Sequence, residues 1–123
     1  MNIQDFHSLC SSFPGVTEHF PFDSDTLVFK VGGKMFALAS LSEWEKGNRS
    51  ANLKCDPERS LELRAQYESV EPGYHMSKVH WNTVLPLSGL PDQLLREWID
   101  DSYMLVAAKL TRKQKQEIGL QYQ

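Results

Sequence analysis

From Asn2 to Phe13 the apolar residues Ile3, Phe6, Leu9, Cys10 and Phe13 recur at helical spacing, with polar residues between them. Asn2 supplies an N-cap, Asp5 suits the first turn, and Pro14-Gly15 ends the element. The period then changes. Residues 16–23 are extended and interrupted by Pro21, which has no N–H for a ladder and places the stretch at a sheet edge. Thr26–Val31 and Lys34–Ser40 are β-rich runs joined by Gly32-Gly33, the signature of a hairpin with a two-residue primed turn. This register sets Phe29 against Phe36 and Leu27 against Leu38 on the core side. Val28 and Ala37 pair on the other side, beside Lys30 and Met35.

Residues 41–50 are polar around Trp44, with Gly47-Asn48 near their tip, and read as a long hairpin loop. Residues 50–55 alternate, with Ala51, Leu53 and Cys55 inward and Ser50, Asn52 and Lys54 outward. Asp56-Pro57-Glu58 opens a helix that runs to about Tyr67 and turns Leu61, Leu63 and Ala65 inward. After the Pro72-Gly73 turn a strand continues into Leu85 and Leu87. Alternation places Val79, Trp81 and Leu85 on one face of it. Lys78, His80 and Asn82 lie on the other, extended by Tyr74 and Met76. Ser88 begins a long helical region striped by Leu94, Leu95, Trp98, Ile99, Tyr103, Leu105, Val106 and Leu110. Asp100-Asp101-Ser102 offers a break and a fresh N-cap within it. Thr111 caps a last basic stretch. Strands grouped between terminal helices predict an α+β fold, a largely antiparallel β-sheet flanked by an N-terminal helix and C-terminal helices, over residues 1–123 as one domain.

Composition narrows the function classes. The chain has 123 residues, 41% hydrophobic and 24% charged, an ordinary balance for one globular domain. No apolar run approaches the roughly 20 residues that span a bilayer. The start, MNIQDFHSLC, lacks the cationic beginning and apolar core of a secretory signal, so a cytoplasmic location is expected. There Cys10 and Cys55, which match no metal or redox spacing, are expected to be reduced. A formal net charge of −3 gives no global attraction to phosphates, so any nucleic-acid role must rest on a local basic patch.

No glycine-rich phosphate loop, H-E-x-x-H pattern or paired-cysteine site occurs. His75 and His80 are spaced to opposite faces of a strand, and His7 and His19 are isolated. Asp100 and Asp101 are adjacent on a helix and do not face each other. The chain therefore reads as non-enzymatic, with no metal and no cofactor. In residues 72–84 (PGYHMSKVHWNTV), Lys78, His80 and Asn82 set a cation, an imidazole and an amide in a row. Such a row suits a phosphate or a base edge. A solvated sheet face is the plain alternative for the same pattern.

That block, with NLKCDPE at 52–58, LPDQLLREWIDDSYMLV at 90–106 and FPGVTEHFPFDSDTLVFKVGGKMFAL at 13–38, resembles the MmcQ/YjbR family of small bacterial proteins over nearly the whole chain. The loop at 41–49 is longer and more acidic than the family pattern. The resemblance implies a YjbR-like fold, an antiparallel sheet with flanking helices, and a DNA-binding role in a double-wing arrangement of loops or hairpins. The matching positions are Lys78, His80, Trp81, Asn82 and Lys54, with Pro72, Gly73 and Tyr74 in the structural frame of the motif.

On the DNA reading, Lys30, Lys34, Lys54 and Lys78 contact phosphates of a duplex and Arg49 joins them from its loop. His80 and Asn82 then sit near the backbone or bases. Lys30 and Lys34 alternate in direction, so both contribute only at the wing tip. Two other readings stand beside it. One is a protein- or peptide-interaction domain using the same sheet face or an exposed edge strand. The other is a small-molecule binder around Tyr74, His75, His80 and Trp81. A monomer is expected.

Overall fold

The computed structural model describes residues 1–74, 76–85 and 90–119. Helix α1 spans Ile3–Ser11 and begins in a capping box: Asn2 accepts the Asp5 N–H at 2.8 Å, and the Asp5 carboxylate takes the Asn2 N–H at 3.2 Å. Strands β1 (Val16–His19), β2 (Thr26–Val31) and β3 (Lys34–Ser40) follow, then α2 (Leu41–Glu45), β4 (Ala51–Lys54) and α3 (Pro57–Gln66). Strands β5 (Val70–Pro72) and β6 (Trp81–Val84) precede α4 (Asp92–Ala107) and α5 (Arg112–Glu117). The strands form one six-stranded sheet in the order β1-β2-β3-β4-β6-β5, antiparallel throughout.

The two faces of the sheet differ. Leu27, Phe29, Phe36, Leu53 and Val84 face Phe6 and Cys10 of α1 and Trp98, Ile99, Tyr103 and Val106 of α4, which makes the main core. The opposite face carries no helix in this core; Val28, Leu38 and Trp81 form a small cluster there with Met35 and Met76.

The turn between β2 and β3 is the two-residue turn expected, with Gly32 at φ 59° and Gly33 at φ 79°. The register beyond it differs. Phe29 pairs with Ala37, Leu27 with Ala39 and Val28 with Leu38, because the ladder slips between Phe29 and Lys30. The slip leaves Phe36 as an extra residue on β3, and Phe36 and Ala37 both reach the main core.

Three other expectations are corrected. Residues 41–45 are a helix rather than a loop, because Ser40 caps it, Trp44 is buried, and the Trp44 indole N–H donates to the Ser50 carbonyl at 2.9 Å. Helix α3 buries Ser60 and Leu63, leaving Leu61 and Ala65 exposed. Helix α4 runs unbroken through Asp100-Asp101-Ser102, since Ser102 is buried and bonds across to the sheet instead of capping a second helix. The basic stretch after Thr111 is the capped helix α5. The expected continuation of the strand to Leu87 and the helix start at Ser88 lie outside the described residues. Among the described residues no helix is long and apolar enough to cross a membrane.

Candidate nucleic-acid interface

Antiparallel pairing brings several of the predicted basic residues to one end of the sheet. Strand β2 finishes and β3 begins at the Gly32-Gly33 turn, β4 finishes at Lys54, and β6 starts at Trp81 opposite Lys54. Lys34 is exposed beside the turn, and Lys30, which pairs with Met35, lies on the open face. Lys54 also lies on the open face, its ammonium 5.9 Å from the centre of the Trp81 ring. Partial burial pulls the Lys54 pKa down, and Lys109 and Lys34 lower it further. Lys109 follows α4, where Leu110 packs against Gly32. Lys34, Lys54 and Lys109 thus share one electrostatic neighbourhood at the hairpin end.

The segment 72–84 is arranged differently from its predicted strand. Only Trp81–Val84 is strand; Lys78 to His80 form a turn. The Gly73 N–H donates to the Trp81 carbonyl at 2.9 Å, and a Cβ on Gly73 would stand 2.8 Å from that of Trp81. Gly73 is thus the residue that lets the loop close against β6. The Lys78 ammonium donates back to the Gly73 carbonyl at 2.9 Å. From α3, Arg64 donates to the carbonyls of Lys78 and Trp81 and, at 2.8 Å, to Asn82 Oδ1. These bonds latch the loop.

The latch reverses the predicted faces. Asn82 is buried at 3% exposure on the helix-covered side, opposite Leu53, so it is no surface contact. Trp81 packs on the open face, and Val79 is 58% exposed. The alternation failed because it was extended through a turn. His80 is exposed just before β6, its carbonyl receiving the Cys55 N–H at 2.8 Å. Arg49 precedes β4, at the end of that strand opposite Lys54, and donates to the Met1 carbonyl at 3.0 Å. It does not join the lysines.

Pro72 pairs with Asn82 at the end of β5. Tyr74 lies over the open face, where its N–H donates to Thr83 Oγ1 at 2.8 Å and Thr83 donates to Asn52 Oδ1 at 2.5 Å. A groove of about 560 Å³ runs there, lined by Phe22, Leu38, Asn52, Tyr74, Met76 and Thr83 among others. His80 and Trp81 do not line it, and His75 is outside the described residues. Sequence reasoning missed Lys109, Arg64 and Phe22. Lys109, directly after the apolar stripe of α4, carried a readable signal as a cation beyond a helix C-terminus. Both thiols are free; burial pushes the Cys10 thiol far up and raises that of Cys55.

Comparison with known proteins shows the family and the fold. The YjbR family model matches residues 11–105. YbdF of Escherichia coli O157:H7, an uncharacterised protein, is 38% identical over 122 residues, covering 96% of this chain and 98% of its own. YyaQ of Bacillus subtilis strain 168, also uncharacterised, is 41% identical over 54 residues, 44% of this chain and 45% of its own. The crystal structure of a Deinococcus radiodurans protein with a DUF419 domain superposes with a TM-score of 0.86 at 40% identity, over 98% of this chain and 89% of that one. A Pseudomonas syringae crystal structure gives 0.70 at 28% identity, over 86% and 99%.

Proposed function

The chain belongs to the YjbR family, and from that membership together with its lysine cluster we propose that it is a non-enzymatic module that binds duplex DNA through phosphates. The observation that carries the reading is the placement of Lys34 and Lys54 at the hairpin end, with Lys109 just before the Leu110 that packs on Gly32; partial burial lowers the Lys54 pKa, and Lys109 and Lys34 lower it further. Like charges held together destabilise one another, and a polyanion relieves that repulsion. Lys30 adds a cation on the open face, and exposed His80 extends the same end along β6. With a net charge of −3, attraction to DNA has to come from a local group of cations and not from the molecule as a whole. Lys78 acts mainly within the loop latch.

The test is fluorescence anisotropy with a labelled duplex across a salt series. The expected result is binding that weakens with salt, with a slope that falls by about 0.9 for each of Lys34→Ala, Lys54→Ala and Lys109→Ala. Absence of binding at low salt and roughly 100 μM protein, the weak end of ordinary non-specific affinity, rejects the reading.

A second reading rests on the groove. Phe22 and Tyr74 are 63% and 68% exposed beside Met76, a combination that suits an apolar peptide side chain. Here Phe22→Ser removes partner capture and leaves DNA binding unchanged; the opposite pattern rejects it.

A further inference from the structure

The two ends of the sheet carry opposite charge. Lys30, Lys34 and Lys54 lie toward the Gly32-Gly33 turn. The groove on the open face lies toward the other end, where Thr26 opens β2, Ser40 closes β3 and Ser50 precedes β4. Glu43 lines this groove, and two further carboxylates stand behind its wall. Asp23 accepts the Thr26 N–H at 2.6 Å, and Asp25 accepts from Ser40 Oγ at 2.6 Å. Hydrogen bonds from Thr26 to Asp23, and from Ser40 and Ser42 to Asp25, hold both pKa values below 3.8, so both groups are ionised near neutral pH.

The cations in sequence reach of the groove are turned to other partners. Lys46 comes no nearer to Glu43 Oε1 than 3.7 Å, in an exposed pair that contributes little. Arg49 donates to the Met1 carbonyl at 3.0 Å, and Lys78 to the Gly73 carbonyl at 2.9 Å. None of the three lines the groove. Its apolar wall has a specific character as well, since the exposed rings of Phe22 and Tyr74 stand in it with Leu38 and Met76. Two accessible rings and a carboxylate around one space suit a cation on an apolar stem. The rings attract the cation through their quadrupoles, the carboxylate attracts it through its charge, and the stem covers apolar surface. Arginine fits best among such side chains, because its flat guanidinium stacks on rings and its several N–H donors can meet Glu43 and the groove hydroxyls together. At about 560 Å³ the groove has room for that side chain and part of its backbone.

We propose that the groove receives an arginine side chain from a basic peptide segment of a partner protein, with the guanidinium at Glu43 and the stem against Phe22, Tyr74 and Met76. The proposal rests on the peptide reading of the groove and is independent of the DNA reading.

The experiment titrates ¹⁵N-labelled full-length protein with glycine pentapeptides, blocked at both ends, whose central residue is arginine, its neutral isostere citrulline, or norleucine. The arginine peptide is expected to shift the backbone amides of Asn52, Tyr74 and Thr83 saturably, with the other two at least about fivefold weaker. Glu43→Gln is expected to cut arginine affinity at least about threefold and to leave citrulline unchanged. Norleucine binding as tightly as arginine overturns the proposal and leaves the apolar-groove reading standing. Citrulline binding as tightly as arginine, or an arginine preference undiminished in Glu43→Gln, overturns it as well, because charge then selects nothing. No saturable shift from any of the peptides up to about 10 mM removes both the proposal and the reading beneath it.

Discussion

The Ser102 hydroxyl donates to the Phe36 carbonyl at 2.5 Å and receives the Lys54 N–H at 2.8 Å. A residue of α4 thus completes the ladder between β3 and β4, which pair directly only at Ala37–Leu53 and Leu38–Asn52. The bulge at Phe36 turns that carbonyl out of register, and Ser102, fully buried, restores its partner. Ser102→Ala leaves a buried carbonyl and N–H unpaired and is expected to lower stability by about 2 kcal/mol. Urea denaturation would show a reduced midpoint with an unchanged slope.

Arg64→Met removes the donors that hold Lys78, Trp81 and Asn82. A loss of about 3 kcal/mol is expected, with faster amide exchange in residues 73–81. Arg64→Lys should not restore stability, because one ammonium cannot reproduce the forked geometry of a guanidinium. Wild-type stability in Arg64→Lys would show that the latch is not built as described.

The two turn glycines should respond unequally to alanine. Both have positive φ, which costs an alanine about 1 kcal/mol. A Cβ at Gly33 meets nothing within 4 Å, whereas one at Gly32 would lie 2.4 Å from Leu110. Gly32→Ala should therefore melt well below Gly33→Ala, and a calorimetric comparison of the two checks it.

Acid sensitivity should trace in part to Asp25. Its carboxylate accepts from Ser40 Oγ at 2.6 Å, the Ser42 N–H at 2.8 Å and Ser42 Oγ at 2.9 Å, and these bonds hold its pKa below the ordinary 3.8. A carboxyl lowered by folding contributes stability above its unfolded pKa, and that contribution is lost as pH falls through the folded value. Asp25→Asn should be less stable than wild type at neutral pH, with the gap closing below about pH 4. Melting curves from pH 7 to pH 2 follow it directly.

Much of the fold was legible because local chemistry and tertiary structure agree. The Asn2 cap, the Gly32-Gly33 turn, the Asp56-Pro57 helix start and the alternation through Ala51–Lys54 each depend on neighbours in sequence. The site was less legible, because its deciding contacts are remote. Nothing near Asn82 announces that Arg64, eighteen positions earlier, turns it inward. Nothing near Lys54 announces Lys109. The bulge at Phe36 was hidden for a related reason: either residue of the Phe36-Ala37 pair fits an apolar face, and the choice is made by α4.

Two positive-φ turns in the first third of the chain are roofed from its last fifth: Ile118 stands over Gly15 and Leu110 over Gly32, while the Tyr103 hydroxyl reaches the Pro14 carbonyl at 2.6 Å. The consequence is temporal. During synthesis the hairpin and its aromatic face emerge long before α4 and the residues after it, so closure of that side waits until those residues have been made. A nascent chain arrested before α4 has α1 against the sheet but lacks Tyr103 on Phe36 and the rest of the α4 cover, which makes the interval between translation of β3 and of α4 the period of greatest exposure to aggregation and to chaperones.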